Sequence, residues 1–211
     1  LSVPGSQGLV VGKLIERLNR HGPVVDGRET AEGYNKVQRL AVEGTRLGIP
    51  ITLSTDPRNH YAGAVGSSSR AGSLSQWPET LGLAALRDAA LVKQFANIVR
   101  QEYLALGLRL ALSPQADLAT EYRWARLNGT FGESAELSGK LTEAYIRGLQ
   151  APHLSGGIGK LSTHSVSTMT KHFPGAGPEK DGEDSHFTYG KDQIYPGDNL
   201  EYHLQPFRQA I

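Results

Sequence analysis

Three short runs of strand-forming residues, at 49–54, 108–112 and 165–170, begin roughly 58 residues apart. Each is followed by a polar loop and then a helix, and that order leaves few architectures open. Strands separated by helical crossovers pair in parallel within an α/β fold. The helices read from their apolar spacing. Residues 30–46 place Tyr34, Val37 and Ala41 on one face, and the next helix repeats the pattern through Leu91, Phe95, Val99 and Leu106 before Gly107 ends it. Ser134 caps a helix carrying Leu137, Leu141, Tyr145 and Leu149. A further helix is expected over 9–20, from Val10, Leu14 and Leu18. Asp198, with Glu201 three residues on, has the spacing of a capping box that opens the last helix.

Each strand ends in a long loop, so the unusual chemistry gathers at one edge of the sheet. A closed (β/α) barrel and a doubly wound open sheet both build their sites there, and periodicity does not separate the two. A barrel of about 250 residues allots about 31 to each unit. The units here are padded with loops, and 211 residues supply three or four of the eight.

Composition excludes several classes of function. With 22 basic against 21 acidic residues, the net charge of +1 provides no field for nucleic acid or an anionic membrane. No run of 18 apolar residues occurs to span a bilayer. Residues 1–6 carry neither a basic nor an apolar leader segment. With no Cys there are no disulfides, thiolate metal sites or Cys nucleophiles.

The residues just after each strand carry the chemistry. Asp56 follows the first; Asp117, Arg123 and Trp124 follow the second; Lys171 and His172 follow the third. A carboxylate, a guanidinium, an ammonium and an imidazole at one edge suit a small polyhydroxylated ligand, because carboxylates accept from hydroxyls while Lys and Arg donate to them. The bland alternative is a set of solvated charges or structural pairs, such as Asp56 with Arg58. The segment 171–187 is more specific. Gly175 and Gly177 lack the Gly-Lys-Ser/Thr that would make a phosphate loop, and no Gly-x-Ser-x-Gly elbow is present for a serine hydrolase. Asp181, Glu183, Asp184 and His186, with His172, offer hard metal ligands, the basis of a metal-dependent hydrolase reading. Their spacing matches neither HExxH nor an EF-hand, so no metal and no cofactor is assigned.

The run Lys171-His172-Phe173-Pro174-Gly175 resembles the signature of the catalytic barrel of glycoside hydrolase family 3. Four further blocks follow the order of that family: residues 46–58 around Asp56, residues 76–82 beginning Gln76-Trp77-Pro78, Asp117-Leu118-Ala119, and Arg123-Trp124-Ala125-Arg126 with residues 129–133. The loop 177–184 resembles that of bacterial β-glucosidases in the family. The resemblance implies an incomplete (β/α)8 barrel of the TIM type, supplying roughly the first half of the parallel strands and helices over residues 1–211. The remaining strands would come in cis or from a second chain. It implies a retaining, exo-acting enzyme on β-glucosides or oligosaccharides, in a periplasmic or secreted location. By the same resemblance Asp56, Arg123, Lys171 and His172 hold the hydroxyls of the terminal non-reducing sugar. The nucleophile Asp and the acid/base Glu are expected beyond Ile211, and no catalytic residue is assigned within the chain.

Four positions depart from the family pattern: Asn59, Tyr122, Ala125 and Ala176. None removes a sugar-binding charge. Asp184-Ser185-His186 also resembles the Asp-Ser-His of single-domain β-N-acetylglucosaminidases in the family, where the His is the acid/base. That gives a second reading, with Asp184 and His186 in the site; a non-catalytic sugar-binding fragment is a third. Trp77 and Trp124 are candidate sugar platforms, Trp124 packing beneath its loop in the plainer view. His21, His60, His153, His164 and His203 read as surface or satisfied loop residues.

Overall fold

The computed structural model describes residues 10–11, 17–19, 24–61, 69–151 and 161–211. Four parallel strands form one sheet: β1 (Arg17–Asn19), β2 (Thr52–Thr55), β3 (Leu110–Ala111) and β4 (Ser167–Thr168), adjacent in that order. Between them run α1 (Gly27–Gly44), α2 (Thr80–Ala85), α3 (Ala89–Leu106) and α4 (Ala135–Gln150); α5 (Leu200–Ala210) follows β4. Leu18 pairs with Leu53, Ser54 with Leu110, and Ala111 with Thr168.

Strand order equal to chain order decides what periodicity left open. A doubly wound sheet reverses direction at a switch point. Here each strand adds to the same edge, and right-handed crossovers then put the helices on one face. That is the winding of a (β/α) barrel, as expected.

The helices bury the predicted faces. Asp26 caps α1 by accepting the Glu29 N–H at 2.8 Å, and Tyr34, Val37 and Ala41 point inward. Asp88 caps α3, which ends at Gly107 in the left-handed region (φ 83°). Phe95 of α3 meets Trp77 at 5.2 Å and Tyr145 of α4 at 5.8 Å between ring centres, so one aromatic cluster joins loop and helices. Burying each such side chain contributes about 1.5–3 kcal/mol. Helix α4 lies directly on α3 at Gly148, where a β-carbon would stand 2.5 Å from the Lys93 carbonyl oxygen.

Three expectations change. The helix expected over 9–20 does not hold at its end: residues 10 and 11 are helical, but 17–19 are β1. Three residues are too few to show a strand's alternation, and pairing with β2 overrides local spacing. Leu14 lies outside the described residues. The capping box before α5 does not form, because Asp198 takes a left-handed φ of 58° and Asn199 becomes the N-cap without a side-chain bond. Helix α2 was not anticipated. Among the described residues no helix is long and apolar enough to cross a membrane.

Candidate functional site

Parallel strands bring their C-terminal ends to one edge, and the charged residues that follow them meet there. Asp56 comes directly after β2, and its Oδ1 lies 2.6 Å from Lys171 Nζ, three residues past β4. Asn19, the last residue of β1, donates its amide to Asp56 Oδ2 at 3.2 Å. Three strand ends are thereby tied through one carboxylate.

The loop after β3 supplies the second tie. Asp117 is fully buried and accepts three N–H groups: the His172 main chain at 3.1 Å, the His172 ring Nδ1 at 2.8 Å and the Ala176 main chain at 2.6 Å. Its negative charge is thus met by donors rather than by solvent. The Arg126 guanidinium approaches the same imidazole, with Nη2 2.5 Å from Nε2 and 3.3 Å from Nδ1. With the Asp117 carboxylate as its acceptor, the His172 Nδ1 carries a proton. The Ser113–Pro114, Lys171–His172 and Phe173–Pro174 peptide bonds are cis.

Arg126 also links the site to the loop beyond it. Its Nη1 lies 3.5 Å from Asp184 Oδ2 and 3.1 Å from His186 Nδ1. Asp184 accepts the Trp124 indole N–H at 2.7 Å and pairs with the His186 ring at 2.6 Å. Burial works against its charge, but the His186 main-chain N–H, the Trp124 indole, the His186 ring and Arg126 together outweigh that and hold the carboxyl down at about 2. The His186 ring itself is largely exposed. Beneath this loop, burial pushes the Glu179 carboxyl up, against the Ser185 N–H it accepts.

Of the residues expected to grip a sugar, Asp56, Lys171 and His172 come together as one network. Arg123 does not join it. Its guanidinium is 64% exposed and is held by Glu121 at 2.8 Å and Asp181 at 3.4 Å. The buried arginine is Arg126, 3% exposed, on the same short segment. Asp117, singled out by its place after the second strand, is the carboxylate that holds His172. Arg126 is the participant that position did not single out; it stood in a quoted motif, but only the backbone path shows which arginine turns inward. Trp124 is buried under the loop, with Arg126 over its ring at 5.3 Å. Trp77 donates to Ser75 and packs on Phe95, so it belongs to the core. Arg58 is buried with Nε on Thr55 Oγ1 at 2.5 Å.

The segment 181–186 does not gather its ligand-type side chains. Asp181 serves Arg123 and Asp184 is filled by donors; among the described residues no group of three His, Asp or Glu could hold a metal ion. His60 is buried on the Pro78 carbonyl, its pKa lowered by burial to about 4 against that bond. His203 is buried and no surface residue. His21 and His153 lie outside the described residues.

The network consists of a carboxylate, an ammonium, an imidazole held by a buried carboxylate and a guanidinium, at the strand ends. Comparison with known proteins points the same way. Over 206 residues the chain is 51% identical to Beta-glucosidase C of Emericella nidulans, covering 98% of this chain and 32% of that protein. It is 50% identical over 201 residues to the Periplasmic beta-glucosidase/beta-xylosidase of Dickeya chrysanthemi, covering 95% of this chain and 29% of that one. The chain thus spans about a third of the length of these relatives. Among solved structures, a family 3 β-N-acetylglucosaminidase from Paenibacillus sp. shares the fold, with a TM-score of 0.76 at 23% identity over 98% of this chain and 36% of that one. The family model for the Glycosyl hydrolase family 3 N terminal domain runs from residue 8 to residue 211, nearly end to end, and this chain belongs to that family.

Proposed function

We propose that the protein carrying this chain hydrolyses terminal, non-reducing β-D-glucosyl residues, and that residues 1–211 supply the grip on the sugar. The observation that carries the reading is the Asp56–Lys171 pair at 2.6 Å beside the Asp117–His172–Arg126 chain. In it, Asp56 accepts from adjacent sugar hydroxyls, Lys171 donates to the next, and His172 and Arg126 close the far side of the ring. Such charge-assisted bonds contribute about 1.5–3 kcal/mol each. A ligand lacking a hydroxyl is rejected, because a buried charge then loses its partner.

The chain's buried carboxylates are occupied in binding and positioning. By the family resemblance, the carboxyl groups that act as nucleophile and acid/base in a retaining reaction, about 5–5.5 Å apart, are expected in other parts of the protein. The test is turnover of p-nitrophenyl β-D-glucoside by the full-length protein, alone and with Asp56→Asn or Lys171→Ala. Each substitution is expected to lower kcat/KM by about 10- to 100-fold. Unchanged turnover in both would end this assignment.

A second reading has a specific observation behind it. His186, largely exposed, pairs through Nδ1 with Asp184, which orients Nε2 for proton transfer to a leaving group. This favours a β-N-acetylglucosaminidase that uses the Asp184–His186 pair in place of a carboxylic acid. Assaying p-nitrophenyl β-D-glucoside beside the N-acetylglucosaminide separates the two. Under this reading His186→Ala lowers kcat most on the least activated leaving groups.

A further inference from the structure

Three residues past Asp184, the loop turns its apolar side outward. Phe187 and Tyr189 stack face to face, with ring centres 5.2 Å apart and planes 2° apart, and both are more than half exposed. The turn that presents them is tightly built: the Phe187 N–H reaches the Asp184 carbonyl at 3.0 Å and the Gly190 N–H reaches the Phe187 carbonyl at 3.0 Å. Gly190 lies so close to Asp184 that a β-carbon would stand 2.1 Å from its carbonyl oxygen. The rings are therefore carried on the same anchored residue that Arg126 and Trp124 hold.

Arg126 links their loop to the sugar cluster. One guanidinium touches His172 on one side and His186 on the other, and Phe187 is the next residue. The stack therefore begins one residue beyond a side chain that shares Arg126 with His172. Stacked rings keep one outer face each, and an aromatic face suits the flat C–H face of a pyranose or an aryl ring. A small aliphatic leaving group gains far less from it.

We infer that the Phe187–Tyr189 stack is the platform for the leaving group, selecting glycosides whose leaving group is itself a ring. This rests on the glycosidase reading above. The ring comes either as a second pyranose or as an aryl group, and substrates distinguish them: cellobiose, p-nitrophenyl β-D-glucoside, and methyl β-D-glucoside, which has no ring to stack.

The experiment measures kcat and KM of the full-length protein on all three, for wild type, Phe187→Ala, Tyr189→Ala and the ring-conserving Tyr189→Phe. The alanine variants are expected to raise KM about three- to tenfold on one or both ringed substrates, and less than about twofold on methyl β-D-glucoside. Tyr189→Phe keeps the wild-type pattern. A loss confined to cellobiose assigns the platform to a sugar, and one confined to the aryl glucoside assigns it to an aryl group. Equal losses on all three substrates with a lowered melting temperature would mean that another part of the protein covers these rings, which overturns the inference. So would the absence of any change. Because wild-type turnover of methyl β-D-glucoside does not involve the stack, failure of the platform is distinguishable from failure of the glycosidase reading.

Discussion

His172 is bound to Asp117 twice, once through its main-chain N–H to Oδ1 and once through its ring Nδ1 to Oδ2. Backbone and ring of one residue are thus fixed by one carboxylate, with Ala176 N–H as the third donor. A doubly bound imidazole cannot turn about its side-chain bonds without breaking a buried bond, so its Nε2 edge points one way.

Asp117 is accordingly a positioning residue. Asp117→Asn keeps the shape but sets an NH2 against at least one N–H donor, leaving a buried donor unpaired at about 1–3 kcal/mol. The expected result is a lower melting temperature and a 10- to 100-fold drop, roughly, in kcat/KM for the β-glucoside. The decisive check is non-additivity. His172→Gln added to Asp117→Asn should cost little more than either alone, because both act through one contact. Fully additive losses would assign Asp117 a purely structural role.

Arg126 and Arg123 differ by three positions and by their surroundings. Arg126 is buried between His172 and Asp184, while Arg123 is an exposed partner of Glu121 and Asp181. Exposed pairs contribute about 0–1 kcal/mol, whereas removing one member of a buried pair costs about 3–5 kcal/mol. Arg126→Ala should therefore lower kcat/KM at least about tenfold more than Arg123→Ala. Parallel kinetics of the two variants decide it, and equal losses would return Arg123 to the sugar site.

Asp184 makes stability depend on pH. Its carboxyl is held at about 2 when folded, against an ordinary value of 3.8. A folded value below the unfolded one contributes stability that is fully present above pH about 4 and is lost as the pH falls toward 2. The full contribution is about 2 kcal/mol. Asp184→Asn should lower the urea midpoint at pH 7, and that difference from wild type should shrink as pH is taken from 4 to 2.5. A difference independent of pH would refute it.

The fold was legible where local chemistry is strong. Gly107 and Ser134 end and begin helices as their residue types demand, and the 49–54 run overlaps β2, starting three residues early and ending one residue short. Strand β1 was not legible, because three residues paired to β2 carry no alternation of their own. In the site, Asp56, Lys171 and His172 stood out because each follows a strand directly. The choice between Arg123 and Arg126 depended on how the loop after β3 turns, which packing against residues 175–184 decides. His203 looked unremarkable in sequence for the same reason. Tyr195, eight residues before it, and Gly175, far earlier in the chain, pack against it.

The loop 171–184 also makes a prediction about glycine. At Gly177 a β-carbon would stand 1.6 Å from the Leu118 carbonyl oxygen and 2.6 Å from its carbon, so backbone must separate from backbone. The neighbour is rigid, and no side chain can rotate away to make room. Gly177 follows Ala176, whose N–H is one of the three held by Asp117, and Leu118 follows Asp117 itself. Gly177→Ala therefore pushes apart the two segments that fix His172. The expected cost is about 1–3 kcal/mol of stability, as for overpacking elsewhere, with a fall in kcat/KM of the size given for Asp117→Asn. Gly33 provides the control: it sits inside α1, nothing lies within 4 Å of its would-be β-carbon, and Ala is the better helix former by up to about 1 kcal/mol. The same substitution at the two sites should shift the melting temperature in opposite directions. If Gly177→Ala melts at or above wild type, the close approach of the two segments is wrong, and with it the account of how His172 is held.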